Sequence, residues 1–279
     1  MRHRFFNKQY GSGHPGTFVK RATFFVSPSI STNLLSDLDD NFVRVISASK
    51  YEGDAHVKVL TEYHDTIKAA VVYDMSNPQY SEPIYERFKT LYEEKGASVV
   101  YTNTLNSESI DYEKIAVEIY RSGAQGVVLI ANTVDSSNII QQVARKDKDL
   151  IISNSGWSVN YDLIERSGKA SEQIYGIAAY ITDYDGTDYR EFAKEYEERF
   201  CEVPFFSAHT TYDAVMALSQ AMRQSESLAI DDVKKALLYI GDFNGLQTDF
   251  SLNEYGDATR SNMLLRVEDG KFILVEELD

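Results

Sequence analysis

Three hydroxyl side chains near the start of the chain have the chemistry to bind a carboxylate. Ser29, Ser31 and Thr32 follow the apolar run at residues 23–26 (TFFV) and precede residues 33–35 (NLL). Hydroxyls and backbone N–H groups at the beginning of a helix bind anionic groups. The same residue types also form an ordinary helix N-cap, so both interpretations remain open.

A second polar group follows the apolar run at residues 126–130 (GVVLI). Asn132, Thr133 and Asp135 come directly after this run. The carboxyl ends of parallel strands are where open α/β sheets bind ligands, so we expect these side chains to face a small polar ligand. Capping of the next helix is an equally good interpretation of Asp135.

Motifs for catalysis, nucleotides and metals are absent or incomplete. Residues 11–16 fit GxGxxG, but Pro15 interrupts them and no strand–turn–helix unit surrounds them, which favours a flexible leader. Residues 183–188 resemble a calcium loop, but the glycine comes too early and the final glutamate is missing. The histidines lack metal-ligand spacing, and no GxSxG, P-loop or Cys/His pair occurs. We expect no enzyme activity, no cofactor and no metal.

The elements that must position these side chains alternate between short β-branched runs and stretches with helical spacing. This order predicts an α/β fold with a parallel, doubly wound sheet. The later helices, and the antiparallel strands joined by the later turns, then need a second sheet to pack against. The predicted strands are 69–73, 97–101, 126–130, 150–153 and 174–181, the later helices are 189–200, 207–224 and 231–240, and the turns lie at 253–257 and 268–270.

Composition excludes several classes of partner. The 279 residues carry 43 acidic side chains against 28 Lys and Arg, a formal charge of −15. Such a charge repels nucleic-acid phosphates and anionic membrane surfaces, and we expect no nucleic-acid partner. No apolar run approaches the ~20 residues that span a bilayer. The single cysteine, Cys201, excludes an internal disulfide.

A series of segments resembles one family when their order and spacing are taken together. The chain resembles the type I periplasmic binding proteins, specifically the branched-chain amino-acid (leucine/isoleucine/valine) binding family of ABC importers. In that family two α/β lobes close on a ligand. The segments are 24–32 (FFVSPSIST), 42–54 (FVRVISASKYEGD), 71–83 (VVYDMSNPQYSEP), 126–132 (GVVLIAN), 153–157 (SNSGW), 209–222 (HTTYDAVMALSQAM) and 250–273 (FSLNEYGDATRSNMLLRVEDGKFI).

The resemblance implies further site residues. Tyr80, expected in the loop after the AAVVY strand, matches a position where an aromatic ring covers the ligand, and Asn77 lies beside it. A turn made by Asn77 and Pro78 is the alternative for Asn77. Ser155 and Trp157 occupy the loop where amino-acid binders of this family offer an acid to the ligand ammonium.

The usual acid is therefore missing from that loop. Trp157 could wall the ligand pocket or hold a cation on its face, and simple packing between lobes is its other interpretation. An amino-acid ligand needs a negative partner from elsewhere, such as Asp135 or Asp183. The alternative is a less cationic ligand.

The resemblance also implies a domain organisation. Residues 1–46 form a leader and a partial first lobe, residues 47–181 the second lobe, and residues 182–279 return to the first lobe. Nothing before Val19 resembles the three strand–helix units that open the family's first lobe. We expect a truncated chain, with a fragment completed by another chain and a decayed gene as alternatives. The TFFV strand is then an exposed sheet edge, which could form a homodimer.

The function that the resemblance implies is the solute-binding component of an ABC importer. Its partners are a small-molecule ligand, an amino acid or analogue, and the ABC permease subunits. Such a protein is periplasmic or anchored outside the membrane, although residues 1–16 lack the apolar stretch of a signal peptide. A ligand-sensing module of a receptor system and a non-binding fragment remain alternatives.

Overall fold

Two compact units make up the protein. The computed structural model describes residues 23–106, 109–172, 174–181 and 184–278. The smaller unit contains the described residues up to Ala48 and Glu191–Arg260, and the larger unit contains Ser49–Arg190 and the residues from Ser261 onward. No helix within these ranges combines the length and hydropathy needed to cross a membrane.

Strands and helices alternate through most of the chain. The strands are β1 (Phe25–Ser27), β2 (Phe42–Arg44), β3 (Lys68–Asp74), β4 (Ser98–Leu105), β5 (Gly126–Ile130), β6 (Ile151–Asn154), β7 (Tyr175–Ala178), β8 (Asp242–Phe243), β9 (Phe250–Leu252), β10 (Ala258–Arg260), β11 (Asn262–Glu268) and β12 (Lys271–Leu278). The α-helices are α1 (Glu52–Lys58), α2 (Pro78–Glu94), α3 (Tyr112–Ser122), α4 (Thr133–Ala144), α5 (Tyr161–Ser167), α6 (Thr187–Phe200), α7 (Phe206–Gln224) and α8 (Ile230–Ile240).

The larger unit is built on one sheet with the strand order β12-β11-β7-β6-β5-β3-β4. Its central strands β3, β5 and β6 run parallel. Their side chains alternate between two cores. Ala70 and Val72 face the core with Ile119, whereas Ala69 and Val71 face the core with Phe88. Because helices cover both faces, these strands are apolar at almost every position, as the sequence predicts.

Two helix ends in the larger unit are marked by glycines. Gly123 ends α3 in the left-handed region, with φ 69°, and Gly96 follows α2 with φ 81°. Glycine adopts this conformation without the steric penalty that a Cβ brings. At the other end of α3 the Asp111 side chain accepts a hydrogen bond from Lys114 N over 2.9 Å. These caps fix where each helix begins and ends next to the sheet.

The smaller unit has less sheet. Strands β1 and β2 form a parallel pair, and β8, β9 and β10 form an antiparallel sheet. Its core brings Val43 and Phe250 together with Ala217 of α7 and Leu237 of α8. Within the described ranges β1 has β2 as its strand partner.

One assignment from the sequence was wrong. Residues 261–278 do not return to the smaller unit, because β11 pairs with β7 and with β12 and so extends the large sheet. Met263, Leu264 and Leu265 are almost completely buried there. The turn at Asp269–Gly270 predicted this hairpin correctly, but a hairpin pattern does not say which sheet it joins.

Candidate functional site

Three of the predicted polar segments lie at one edge of the large sheet. Because β3, β5 and β6 are parallel neighbours, their carboxyl ends share that edge. Residues 77–80 follow β3, residues 132–135 follow β5, and residues 155–157 follow β6. The structure therefore places Asn77, Tyr80, Asn132, Thr133, Asp135, Ser155 and Trp157 on the edge where a ligand is expected.

The most notable group at this edge contains an acid that the sequence analysis did not single out. The Glu52 carboxylate accepts a hydrogen bond from the Tyr80 hydroxyl over 2.7 Å through Oε1. Its Oε2 accepts one from the Gly156 N–H over 2.9 Å. We call Glu52, Tyr80, Ser155, Gly156 and Trp157 the Glu52 cluster. It joins the first residue of α1 to the first turn of α2 and to the loop after β6.

Aromatic rings form one side of the Glu52 cluster. The rings of Tyr80 and Trp157 meet edge to face, with centroids 5.6 Å apart and an interplanar angle of 78°. This is a preferred geometry for aromatic pairs. The sequence had indicated a loop at this position, but Tyr80 lies in the first turn of α2. Burial, followed by the nearby Glu52, raises the pKa of Tyr80, so its hydroxyl stays protonated and donates to Glu52.

The protonation of Glu52 is sensitive to pH near neutrality. Burial raises the pKa of the Glu52 carboxyl to about 7, and the hydrogen bonds from Gly156 and Tyr80 oppose this shift only in part. The residue as a whole keeps some exposure to solvent. A carboxyl that is half ionised near neutral pH responds to a charge that binds beside it.

Close packing of two helices brings Glu52 to this place. A Cβ on Gly53 would lie 2.8 Å from the backbone nitrogen of Phe88 and 2.9 Å from the carbonyl oxygen of Ile84. Only glycine lets α1 approach the backbone of α2 so closely. Glu52 and Gly53 lie in segment 42–54, which resembles the type I periplasmic binding proteins. Gly53 was the one sign in this segment that two helices pack closely here.

Asn132 forms a separate network at the end of β5. Its Oδ1 accepts hydrogen bonds from Val134 N and Asp135 N, at 3.0 and 3.1 Å, and caps α4. Its Nδ2 donates to Asp135 Oδ2 over 2.6 Å and to Asp74 Oδ2 over 3.2 Å. Asp135 Oδ1 accepts from the Tyr112 hydroxyl over 2.6 Å. Both carboxylate oxygens of Asp135 thus have side-chain partners within the protein, and Asn132, not Asp135, caps α4.

Two other predicted residues support the local backbone. The carbonyl oxygen of Asn77 accepts from Tyr80 N and Ser81 N, both at 3.1 Å, and Pro78 starts α2. Asn77 therefore precedes a helix that begins at Pro78, whereas the alternative from the sequence was a turn made by Asn77 and Pro78. Thr133 Oγ1 accepts from Asn160 Nδ2 over 2.8 Å and ties the start of α4 to the start of α5. Asp183 lies outside the described residues.

Ser29, Ser31 and Thr32 belong to the smaller unit. The helix expected after them is a single 3-10 turn, Asn33–Leu35, which Thr32 Oγ1 caps by accepting from Leu34 N over 3.3 Å. Ser29 is exposed and Ser31 partly buried. One turn does not provide the aligned peptide dipoles that make a long helix N-terminus attractive to anions.

A buried arginine fixes the shape of this segment. Arg44 Nη1 donates to Thr32 O over 2.9 Å, and its Nη2 donates to Ser36 Oγ over 2.7 Å. The same guanidinium pairs with Asp257 over 2.6 Å. The carbonyl oxygen of Thr32 is therefore held by the Arg44 guanidinium, which is itself paired with Asp257.

Other candidate sites in the described residues are less informative. No group of three or more His, Cys, Asp or Glu side chains is arranged there to hold a metal ion. A cavity of 220 Å³ at the carboxyl end of β4 is lined by polar and charged side chains that include Asn103, Asp111, Lys114 and Glu118. None of the predicted site residues lines it.

Comparisons with known proteins agree on one family. A family profile described as "Periplasmic binding protein" matches residues 16–271. The "Leu/Ile/Val-binding protein homolog 7" of Brucella melitensis is 21% identical over 225 residues, which are 75% of this chain and 55% of that protein. The chain thus spans about half the length of the curated relatives it matches.

Solved structures show the same fold. The leucine-binding protein LivK from Thermotoga maritima matches with a TM-score of 0.80 and 19% identity, over 91% of this chain and 72% of that one. A solute-binding protein of an ABC transporter from R. palustris, solved in complex with benzoate, matches with a TM-score of 0.76 and 16% identity, over 90% and 70%. These proteins are solute binders and not enzymes.

Proposed function

Because the chain belongs to the periplasmic binding protein family, we propose that it is a solute-binding protein that captures a small amino acid. The observation that carries this proposal is the convergence of the loops after β3, β5 and β6 at one edge of the large sheet. That edge combines an acid, a pair of aromatic rings and amide groups. These groups suit a ligand with a charged end and an apolar side chain.

The chemistry at this edge supports capture without turnover. Ligand-binding clefts use a few polar groups to orient the ligand and apolar surface for affinity. Tyr80 and Trp157 provide the apolar surface here. Glu52 provides a charge, and Asn132 holds the neighbouring loop. The curated relative is named for leucine, isoleucine and valine binding, which agrees with an amino-acid ligand.

The family implies a location outside the cytoplasm. We propose that the protein is periplasmic or anchored at the outer face of the membrane, and that it delivers its ligand to the permease subunits of an ABC importer. This step is tested by uptake of a radiolabelled ligand in cells with and without the gene. We expect uptake to fall when the gene is deleted and to return when it is restored. Unchanged uptake would contradict the importer role.

Ligand binding is tested directly by thermal denaturation with the twenty common amino acids and with benzoate. A ligand at 100 times its Kd adds about 2.7 kcal/mol to the free energy of unfolding. For a protein of this size that raises Tm by on the order of 5 °C or more. Trp157 is the only tryptophan, so its fluorescence should change with the same ligand.

A matched pair of variants locates the binding site. Trp157→Ala removes a ring of the Glu52 cluster, and we expect it to weaken binding at least tenfold. Tyr120→Ala removes an aromatic ring that is 61% exposed on α3, outside the candidate loops, so its Kd should equal that of the wild type. A folded protein whose Tm responds to no amino acid contradicts the proposal, and a response to benzoate alone indicates an aromatic-acid binder.

A further inference from the structure

Among the residues that the structure describes, Glu52 forms no ion pair. The titratable groups on the elements around Glu52 are Lys50 and Tyr51 in the preceding turn, Asp54, His56 and Lys58 in α1, Tyr175 in β7, and Tyr80, Glu82, Tyr85, Glu86, Arg87, Lys89, Tyr92, Glu93 and Glu94 in α2. In the described part of the chain, none of the cations among them forms an ion pair with Glu52. Within the described ranges the carboxylate is held by its hydrogen bonds with Tyr80 and Gly156.

Two of these cations pair with other carboxylates, and the Lys50 ammonium lies over the Tyr51 ring, 5.1 Å from its centroid. Arg87 pairs with Asp54 over 2.9 Å, and Lys58 pairs with Glu276 over 2.6 Å. Burial lowers the pKa of His56 to about 3, so this imidazole is uncharged at neutral pH. A partly buried carboxylate without a counter-charge is electrostatically unfavourable. The attraction between this carboxylate and a cation is stronger than the attraction between the same two charges in bulk water.

We propose that Glu52 binds the ammonium group of the ligand beside the rings of Tyr80 and Trp157, and that ligand binding expels the proton of Glu52 into solvent. This inference rests on the proposed function, because it names the group that recognises the amino end of an amino acid. Glu52 replaces the acid that Ser155 does not supply, and it comes from α1 instead of from the loop after β6.

The carboxylate has the capacity for this role. Its two oxygens offer about four acceptor sites, and the Tyr80 hydroxyl and the Gly156 N–H occupy two of them. An ammonium group has three N–H donors and can use the sites that remain. The existing bonds hold the carboxylate in place before the ligand arrives, which reduces the entropy lost on binding.

The aromatic pair strengthens the same preference. Tyr80 and Trp157 meet edge to face, so one ring presents its face to the edge of the other. Cations are attracted to aromatic faces, most strongly to tryptophan. Because the Tyr80 hydroxyl bonds to Glu52, a cation at the carboxylate lies near this aromatic pair.

The proton balance follows from the charge of the ligand. Without ligand, burial keeps the Glu52 carboxyl about half protonated near pH 7. An ammonium group that binds there favours the ionised form, so the O–H bond of the carboxylic acid breaks and its proton leaves to the buffer. A ligand that presented a carboxylate would have the opposite effect, because it would favour the protonated acid and take up a proton.

The test is isothermal titration of L-leucine, or of the amino acid that raises Tm most, in phosphate and in Tris buffer at pH 6, 7 and 8. The difference in heat between the buffers gives the protons released per ligand. With the pKa of Glu52 near 7, we expect release of about 0.9, 0.5 and 0.1 protons at these three values of pH. The affinity should rise about tenfold from pH 6 to pH 8, because only the ionised form binds the ammonium well.

Two variants separate this role from a structural one. Glu52→Gln keeps acceptor capacity for Tyr80 but cannot ionise, so we expect no proton release, a flat pH profile and at least tenfold weaker binding. Glu86→Gln removes the same charge from an exposed position on α2 and should behave as the wild type. Circular dichroism and Trp157 fluorescence of the Glu52 variant verify that it folds.

The outcomes distinguish the two proposals. If no amino acid binds to the wild-type protein, the proposed function fails. If an amino acid binds without proton release, or binds equally to Glu52→Gln, the role of Glu52 is overturned while the proposed function stands. Proton uptake on binding of benzoate, with no amino acid bound, overturns both. The wild-type titration alone decides the matter if the variant does not fold.

Discussion

The Tyr80 hydroxyl donates a hydrogen bond of 2.7 Å to the carboxylate of Glu52, a residue 28 positions earlier in the chain. This bond links α1 to α2 at the edge of the sheet where the loops after β3, β5 and β6 meet. It depends on the close approach of the two helices at Gly53. The geometry of the candidate site thus depends on a residue that has no side chain.

Gly53→Ala should destabilise the protein and weaken ligand binding. The new Cβ would meet the backbone of α2 at 2.8 Å, and backbone atoms cannot move aside as a flexible side chain can. Overpacking typically costs about 1–3 kcal/mol, which exceeds the gain of up to about 1 kcal/mol from replacing glycine in a helix. Urea unfolding at pH 7 measures the change.

The matched control for that variant is Asp54→Ala. It lies next to Gly53 and removes an exposed ion pair with Arg87, which we expect to cost less than about 1 kcal/mol. Equal stability of the Gly53 variant and the wild type would show that α1 does not pack on α2 as closely as described.

Asn132→Ala should lower the free energy of unfolding by about 2–3 kcal/mol. Loss of the α4 cap accounts for about 1 kcal/mol. The remainder comes from the lost Nδ2 bonds, because Asp74 and Asp135 then face each other without the amide that joins them. Asn132→Ser keeps a capping oxygen and loses the bridging amide, so its cost should be smaller. If Asn132→Ala and Asn132→Ser lower the free energy of unfolding equally, the capping oxygen of Asn132 does not contribute to stability.

Much of the fold could be predicted from local patterns. Continuous apolar runs predict the buried parallel strands, since Val128 and Leu129 face opposite cores and both must be apolar. Glycines such as Gly123 mark helix ends because their φ is positive. Both signals are local, and a single sequence contains them.

The remaining features depend on contacts between distant segments. Glu52 and Gly156 are 104 residues apart, and no periodicity relates them. The partner of β11 is likewise not encoded in its own apolar pattern, so the sequence assigned residues 261–278 to the smaller unit. The roles of Ser29, Ser31, Thr32, Asn77, Thr133 and Trp157 in ligand binding stay predictions.

Asp213→Ala should destabilise the smaller unit by about 3–5 kcal/mol. Asp213 pairs with Arg260, and both side chains are only 1% exposed. Asp213 also accepts a hydrogen bond from Leu246 N over 3.0 Å. Its removal leaves a buried guanidinium without its counter-charge and a buried N–H without its acceptor. Thermal denaturation followed by circular dichroism measures the loss.

An exposed ion pair gives the comparison for Asp213. Lys194 and Glu198 lie 3.9 Å apart on α6 with both side chains mostly exposed, so Lys194→Ala should change Tm very little. A small effect of Asp213→Ala, similar to that of Lys194→Ala, would mean that the Arg260 guanidinium finds other acceptors.

Glu52 should also make the ligand-free protein less stable as the pH rises. Its pKa is about 7 in the folded protein, against an ordinary value of 4.5. Below pH 4.5 the carboxyl is protonated in both the folded and the unfolded states. Between pH 4.5 and 7 the folded state retains a proton that the unfolded state has released, so the free energy of unfolding falls with increasing pH. Above pH 7 the carboxyl is ionised in both states and the loss is complete.

Glu52→Gln removes this dependence, and its stability relative to the wild type should increase from pH 4.5 to pH 7 by at most about 3 kcal/mol. Urea unfolding at pH 4.5, 6, 7 and 8 without ligand measures the difference, with Glu86→Gln as the exposed control. Parallel curves for the wild type and Glu52→Gln would show that Glu52 has an ordinary pKa. A saturating amino acid should reverse the order of the two proteins at pH 8, because the ammonium then compensates the buried charge that destabilises the free wild type.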